Sequence, residues 1–506
     1  MLTSPTSGPI HERILARARI HPDRPAIADL EREFTYGQLA SAIEHRASAL
    51  RAAGIAPGER VVLAARNSVD QLATHLAILH AGAVSVPLAG STNATRLAFV
   101  VDDCDAAAIC TDRPTQIGGP RKKFTLHELS GLGDKRLALG DFSVRPTDEL
   151  ACLMYTTGST GEPKAVMLSH RSLANALAHI IEFLGCSDAD REAVVLPLSH
   201  SFGLGHAYCT LSCGGFLLIN DGLRPLKSVF EAFSALSINA FSTTPSMLRL
   251  LLGPYRVPFL QHAAGIRRMV VNSEPLPTEQ AADVLTMMPQ TDVIAYYGLT
   301  EASRSTFLRL RDEPKHRWRS VGKAAPRVEI KICDPAGAPL PNGAEGEVHI
   351  RGPHLALGYW QRPGEQSTAF RDGGLYSGDL GVLDREGYLT ITGRLKDQIN
   401  VGGLKVSATE IELILRRHPR IIDVAVTGIP DPQGLRGEVV AVAAVGADSA
   451  LDAGDIADYC AKNLETAAQP HRIAIVTTIP RAESGKVLKG ELQRLIIDQF
   501  SGGLRA

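Results

Sequence analysis

From Tyr155 to His170 the chain reads YTTGSTGEPKAVMLSH, a stretch that places hydroxyls, glycines and a lysine within one short turn. Gly158 and Gly161 permit positive φ and close backbone approach. The Thr156, Thr157, Ser159 and Thr160 hydroxyls and nearby N–H groups can donate to anionic oxygens, and Lys164 adds a point charge. This composition suits a phosphate chain. It is not a Walker loop, which needs Gly-x4-Gly-Lys-Ser/Thr opening a helix, because Glu162 and Pro163 interrupt the turn and Ala165 follows the lysine. Alone, the run would read as a surface turn. Its flanks argue for more: Leu153 and Met154 look like a strand end, and Val166 to Leu168 resume an apolar pattern before Ser169, a potential helix cap.

This segment resembles the phosphate-binding signature of the adenylate-forming superfamily, which includes acyl-CoA synthetases, peptide-synthetase adenylation domains and luciferases. Further motifs similar to that family follow in order over nearly the whole chain: LPLSHSFGLG from Leu196, TTPSMLRLL from Thr243, VNSEPLP from Val271, YYGLTEAS from Tyr296 and GEVHIRGPHLALGYW from Gly346. YSGDL from Tyr376, GRLKDQINVGGLKVSATEIE from Gly393 and IPRAESGKVLKGEL from Ile479 complete the series.

The resemblance implies an ATP- and Mg2+-dependent ligase that forms an acyl-AMP, releases pyrophosphate and transfers the acyl group. Two anions must meet in the first step, so cations and oriented donors are required. The resemblance gives Thr300 a phosphate oxygen and Glu301 the magnesium, a hard ion suited to carboxylate oxygen. It sets Tyr297 and Gly298 at adenine, with the main chain of Ser273, Glu274 and Pro275 along the base edge. Asp379 would accept the ribose hydroxyls, Arg394 would support ribose or phosphate, and Lys486 would bridge the acid and phosphate oxygens. Lys396 would be the hinge about which a C-terminal domain rotates, bringing the acceptor loop Gly402, Gly403 and Leu404 to the site. His200 is read as a pocket gate, although a lone histidine on an apolar segment is more often structural. No second histidine or cysteine stands at metal-ligand spacing to suggest zinc.

Relatives that adenylate α-amino acids carry an Asp near His200-Ser201-Phe202 to pair the ammonium, whereas no acidic residue occurs between Leu196 and Tyr208. An acid without an α-amino group is therefore expected. Ser201, Phe202, Leu204, Asn272, Leu299 and Ala302 are the pocket candidates, suited to an aliphatic, alicyclic or aryl acid. The chain departs from the family at Asn272-Ser273-Glu274, where Gly-Gly-Ala or Gly-Ala-Ala is common, and at Ala165, Ser377 and Ala408. Coenzyme A is the expected acceptor. A separate carrier protein, or an amino acid in a coronafacate-ligase-like amide synthesis, is the alternative. A non-catalytic regulator would have lost a key group, yet Lys164, Thr300, Glu301, Asp379, Arg394 and Lys486 are all present.

These residues need a scaffold. A chain of 506 residues exceeds one ordinary core, so at least two domains are expected. A strand at Val61 to Leu63, helical spacing from Ser68 to Ala81 and an AVSVPL strand form a βαβ pattern that recurs to Tyr297. From Val328, short alternating strands predict a small antiparallel β subdomain. The expected fold is α/β: a large N-terminal domain (1–395) of parallel sheets with that subdomain, then a small mobile α+β C-terminal domain (396–506). Ligands should gather at the C-terminal ends of the parallel strands. The formal charge of −1 gives no sign of a nucleic-acid partner. The eight scattered cysteines read as free thiols of a reducing compartment, and no apolar run is long enough for membrane insertion, so a cytoplasmic protein is expected. Arg13, Arg17 and Arg19 hint at a transit peptide, but the family-like pattern already begins around His21 to Ile27.

Overall fold

The computed structural model describes residues 8–113, 121–131, 148–157, 163–273, 276–395, 398–401, 404–431, 438–464, 468–482, 485 and 487–501. Two large sheets organise the first part. In a nine-stranded sheet, Asp292–Tyr297, Arg268–Val271, Ala240–Thr243, Arg191–Val194 and Phe216–Ile219 lie side by side in parallel. In a seven-stranded sheet, Arg60–Ala65 runs parallel to Val84–Ala89 and Ala106–Thr111, and the helix Val69–His80 makes the expected crossover.

Alternation along these strands explains where the core sits. Val61, Leu63 and Ala65 share one buried cluster with Val194, Val270 and Ile294 of the other sheet. Their neighbours turn outward: Val62 and Ala64 enter a second cluster, and Ala193, Met269 and Val271 a third. Successive side chains point to opposite faces. Because helices cover both faces, the strands read as nearly continuous apolar runs.

The helix Ser201–Cys213 contributes Leu204, Ala207, Tyr208 and Leu211 to the cluster shared by the two sheets. Gly203 lets it press against the preceding loop, since a Cβ there would fall 2.7 Å from the Leu196 and Pro197 carbonyl oxygens. Asn67 fixes that loop from the other sheet. Its Nδ2 donates to the Leu196 and Asn220 carbonyls at 2.8 and 3.1 Å, and its Oδ1 accepts from the Leu198 N–H at 3.0 Å.

The antiparallel subdomain is a five-stranded sheet of Glu329–Cys333, Glu345–Arg351, Phe370–Arg371, Gly374–Leu383 and Leu389–Arg394. Beyond it, Ile421–Pro430 pairs antiparallel with Glu438–Gly446, which pairs in parallel with Arg472–Ile475. The two faces of this sheet feed separate cores, Val424 and Val426 on one and Ala425 on the other. The eight cysteines are free. Among the described residues, no helix is long and apolar enough to cross a membrane.

Asn67→Ala should destabilise the fold by about 2–3 kcal/mol, because it takes the Asn67 partner from the Leu196 carbonyl and the Leu198 N–H and removes one of two donors from the Asn220 carbonyl, which keeps the Gly222 N–H. Urea denaturation monitored by circular dichroism measures the loss, and a change below about 0.5 kcal/mol would show that the loop is held elsewhere.

Candidate active site

The phosphate-type turn joins two antiparallel strands, Leu150–Thr157 and Pro163–Ser169, with Thr156 opposite Lys164. Ser169 caps the next helix as expected, its hydroxyl accepting from the Ser172 N–H at 3.0 Å. Gly158, Ser159, Thr160 and Gly161, and the Thr157 side chain, lie outside the described residues. Lys164 is well placed. Its ammonium lies 3.6 Å from the Tyr359 ring centroid and 3.8 Å from both Glu301 and Glu365 carboxylate oxygens.

Thr300 and Glu301 occupy the loop after the parallel strand Asp292–Tyr297. Tyr359 donates its hydroxyl to Glu301 Oε1 at 2.8 Å. Burial first, and the Glu301 charge next, push this phenol above its ordinary range, so it remains a donor. Glu301 Oε2 has no hydrogen-bond partner among the described residues, leaving a hard oxygen at a site with a lysine beside it. That arrangement fits magnesium, with Glu301 as the protein ligand and Lys164 near the phosphates the ion would accompany.

Gly298 opens this loop because nothing larger fits: a Cβ would stand 2.4 Å from the Arg304 nitrogen and 3.0 Å from the Ala302 carbonyl oxygen. Upstream, Tyr297 is buried and donates its hydroxyl to Asp379 Oδ2 at 2.7 Å. Burial and then Asp379 raise the phenol well above its usual range. Arg394 Nε lies 2.7 Å from Asp379 Oδ1, and the two residues face each other across adjacent strands. The carboxylate is 2% exposed whereas the Arg394 side chain is 45% exposed, so the arginine can be exchanged for an incoming donor.

An apolar cavity between the helices His170–Leu184 and Ser201–Cys213 reaches Thr300, Ser303 and Arg304. Ser201 and Leu204 line it, whereas Phe202 packs edge-on to Tyr296 with centroids 5.4 Å apart. Leu299 and Ala302 pack elsewhere, in the cluster beneath the antiparallel sheet. His200 caps the helix Ser201–Cys213 by position, without a side-chain cap bond. Ser273 adopts φ +84, a glycine-like conformation at a position where the resemblance has small residues. Glu274, Pro275, Lys396, Gly402, Gly403 and Lys486, and the Leu404 side chain, lie outside the described residues.

Sequence reasoning missed two residues. Arg304 is 2% exposed, with φ +59. Its guanidinium donates to the Ser201 and Phe202 carbonyls at 2.7 and 2.9 Å and to Ser303 Oγ at 2.6 Å. Gly205 makes the space, since a Cβ there would lie 2.6 Å from Arg304 Nη1. Tyr359 stands within a quoted motif, but only the fold shows what its hydroxyl meets. The fold also groups His11, Glu12 and His80 away from this site, with Glu12 Oε1 3.6 Å from His11 Nε2 and 3.5 Å from His80 Nδ1; spacing along the chain gave no sign of it.

A family model described as "AMP-binding enzyme" matches residues 14–360, and one described as "AMP-binding enzyme C-terminal domain" matches residues 410–486. The chain is 29% identical over 489 residues to a feruloyl-CoA synthase of Amycolatopsis, covering 94% of this chain and 97% of that protein. Its structure resembles ATP-bound MatB from Rhodopseudomonas palustris, with TM-score 0.85, 26% identity and coverage of 96% and 99% of the two chains. It also resembles the amide bond synthetase McbA from Marinactinospora thermotolerans, with TM-score 0.81, 25% identity and coverage of 96% and 99%.

Gly298→Ala should cost about 2–4 kcal/mol, because the added methyl meets backbone atoms that cannot swing aside. Denaturant unfolding and the near-ultraviolet signal of the adjacent tyrosines measure it; an unchanged midpoint and spectrum would show that the loop yields freely.

Proposed function

The chain belongs to the AMP-binding enzyme family and is an AMP-forming acid ligase, and from that premise we propose that it activates a carboxylic acid lacking an α-amino group and passes the acyl group to coenzyme A. The observation that carries the site assignment is the convergence of Lys164 and Glu301 beside one another, and of Asp379 on Tyr297, about the Asp292–Tyr297 strand. In this reading Asp379, held by Tyr297, accepts the ribose hydroxyls while Arg394 turns to ribose or phosphate. Thr300 and Lys164 donate to phosphate oxygens. Magnesium, when bound, supplies charge that offsets the meeting of two anions, and Glu301 holds it.

With those groups in place, an acid oxygen attacks the α-phosphorus and pyrophosphate leaves with the bonding electrons. Lys486 bridges the acid and phosphate oxygens, as the resemblance implies. Domain rotation about Lys396 then brings Gly402, Gly403 and Leu404 to the site, where a thiolate attacks the acyl carbon and AMP departs. The units 1–395 and 396–506 are the bodies that move.

The cavity beside Thr300 supports the choice of acid. Its lining contains no acidic side chain to pair an ammonium, and it is mostly apolar. Arg304 qualifies that character: its Nε is buried without a hydrogen-bond partner among the described residues. A substrate with an apolar body and an acceptor at its far end would satisfy that donor. Likeness to an amide bond synthetase favours a second reading, capture of the acyl adenylate by an amine.

Incubation with Mg-ATP, matched aryl and alicyclic acids with and without a distal carbonyl, hydroxyl or carboxylate, coenzyme A and amino acids, followed by mass spectrometry, decides among these. Acyl-CoA is the expected product, and an N-acyl amino acid formed equally well without coenzyme A would establish the amide reading. The distal acceptor should raise kcat/KM at least about tenfold, and Arg304→Met should abolish that preference. Equal rates across the wild-type pairs would refute the role of Arg304. Lys486→Ala should lower pyrophosphate release at least about 100-fold while ATP affinity changes less than about threefold; retained adenylation would remove Lys486 from the mechanism.

A further inference from the structure

Residues 355–360 stitch together the strand that carries Lys164 and the loop that carries Glu301. On one side Tyr359 pairs with Val166, and the Leu357 and Trp360 N–H groups donate to the Met167 and Ala165 carbonyls at 2.8 and 3.0 Å. On the other, Leu355 bridges Ala302 and the Ala356 N–H donates to the Glu301 carbonyl at 2.8 Å. At the junction Tyr359 addresses both charged groups, its ring beneath the lysine ammonium and its hydroxyl on Glu301 Oε1. The same Oε1 is the oxygen nearest Lys164.

We infer that Tyr359 is a positioning residue that occupies one oxygen of Glu301, directs the other toward magnesium and keeps Lys164 in reserve for phosphate. The inference rests on the AMP-forming ligase reading. Glu301 is compensated by Lys164 before ligands arrive, so it never stands as an isolated buried anion. The ring offers the ammonium a shallow alternative partner from which it can be drawn to a phosphate oxygen. The hydroxyl stays on Oε1 and removes the rotational freedom that a carboxylate with two open oxygens would lose on binding a metal. This is how a neighbour one shell out tunes a metal ligand.

Tyr359→Phe removes only the hydroxyl and retains the ring packing against Phe370, so thermal melting should match the wild type. The test is binding of Mn2+, a spectroscopic substitute for magnesium, followed by electron paramagnetic resonance with a non-hydrolysable ATP analogue. The Mn2+ Kd should rise about tenfold in Tyr359→Phe, consistent with loss of one charge-assisted hydrogen bond, whereas analogue affinity without metal should change less than about twofold. In a Glu301→Gln background the same change should shift Mn2+ binding less than about twofold, which a merely structural role would not produce. Should Tyr359→Phe melt early, the comparison in the Glu301→Gln background still decides, because a packing defect acts equally in both. An unchanged Mn2+ Kd in Tyr359→Phe, or an equal loss in both backgrounds, overturns the inference. Failure of the wild type to bind Mn2+ with the analogue would instead count against the ligase reading.

Discussion

The site depends on one constraint: the segment 355–360 bonds its backbone donors to two different elements at once. Its N–H groups reach Glu301, Met167 and Ala165, so the strand carrying Lys164 and the loop carrying Glu301 cannot separate without breaking those bonds. Asp103 secures the end of the segment, accepting from the Trp360 indole through its carbonyl at 3.1 Å and from Arg362 and Tyr155 through its carboxylate at 2.8 and 2.6 Å. Relative placement of Lys164 and Glu301 is thus set by main-chain bonding, and side-chain chemistry is added to a frame already fixed.

A second fastening works from within the loop. Arg304 donates to the carbonyls at the start of the helix Ser201–Cys213 and lies over the Tyr296 ring at 5.2 Å, joining the loop 298–304 to that helix. It requires glycine on both approaches, Gly298 beneath its backbone and Gly205 beneath its guanidinium. Its three donor bonds satisfy most of a buried guanidinium, which would otherwise be costly to bury. Arg304 and Ser273 take positive φ, +59 and +84, in the loops that follow the strands Asp292–Tyr297 and Arg268–Val271.

The Asp379 cluster follows a different logic. Asp379 and Arg394 are cross-strand neighbours in an antiparallel sheet, so their pairing is a matter of register, and Tyr297 reaches the same carboxylate from the parallel sheet. One carboxylate therefore unites two architectures. Immediately beyond Arg394 the chain leaves this sheet, and the helix Ala408–Leu415 packs back against Leu389–Arg394. Arg394, which pairs with that carboxylate, is thus the last residue of its strand.

Much of this was legible in the chain. Period-two and helical spacing gave the strands around Val62, Leu217, Val270 and Val348 and the crossover helix Val69–His80, because burial imposes its own periodicity on sequence. Motif order pointed to Lys164, Thr300, Glu301, Asp379 and Arg394, and the fold brings Lys164 beside Glu301 and Arg394 beside Asp379. The sequence did not reveal that Tyr297 donates to Asp379, that Arg304 is buried at the apolar cavity, that Leu299 and Ala302 face a different core, or that Tyr359 contacts both Lys164 and Glu301. Those contacts link residues from 58 to more than 100 positions apart, and nothing local marks which distant partner a tyrosine hydroxyl or a guanidinium will meet. Spacing along the chain determined the elements and their chemical vocabulary; the packing of two parallel sheets against an antiparallel one decided which of those groups share a site, because only closure of the tertiary fold brings their donors and acceptors within bonding distance.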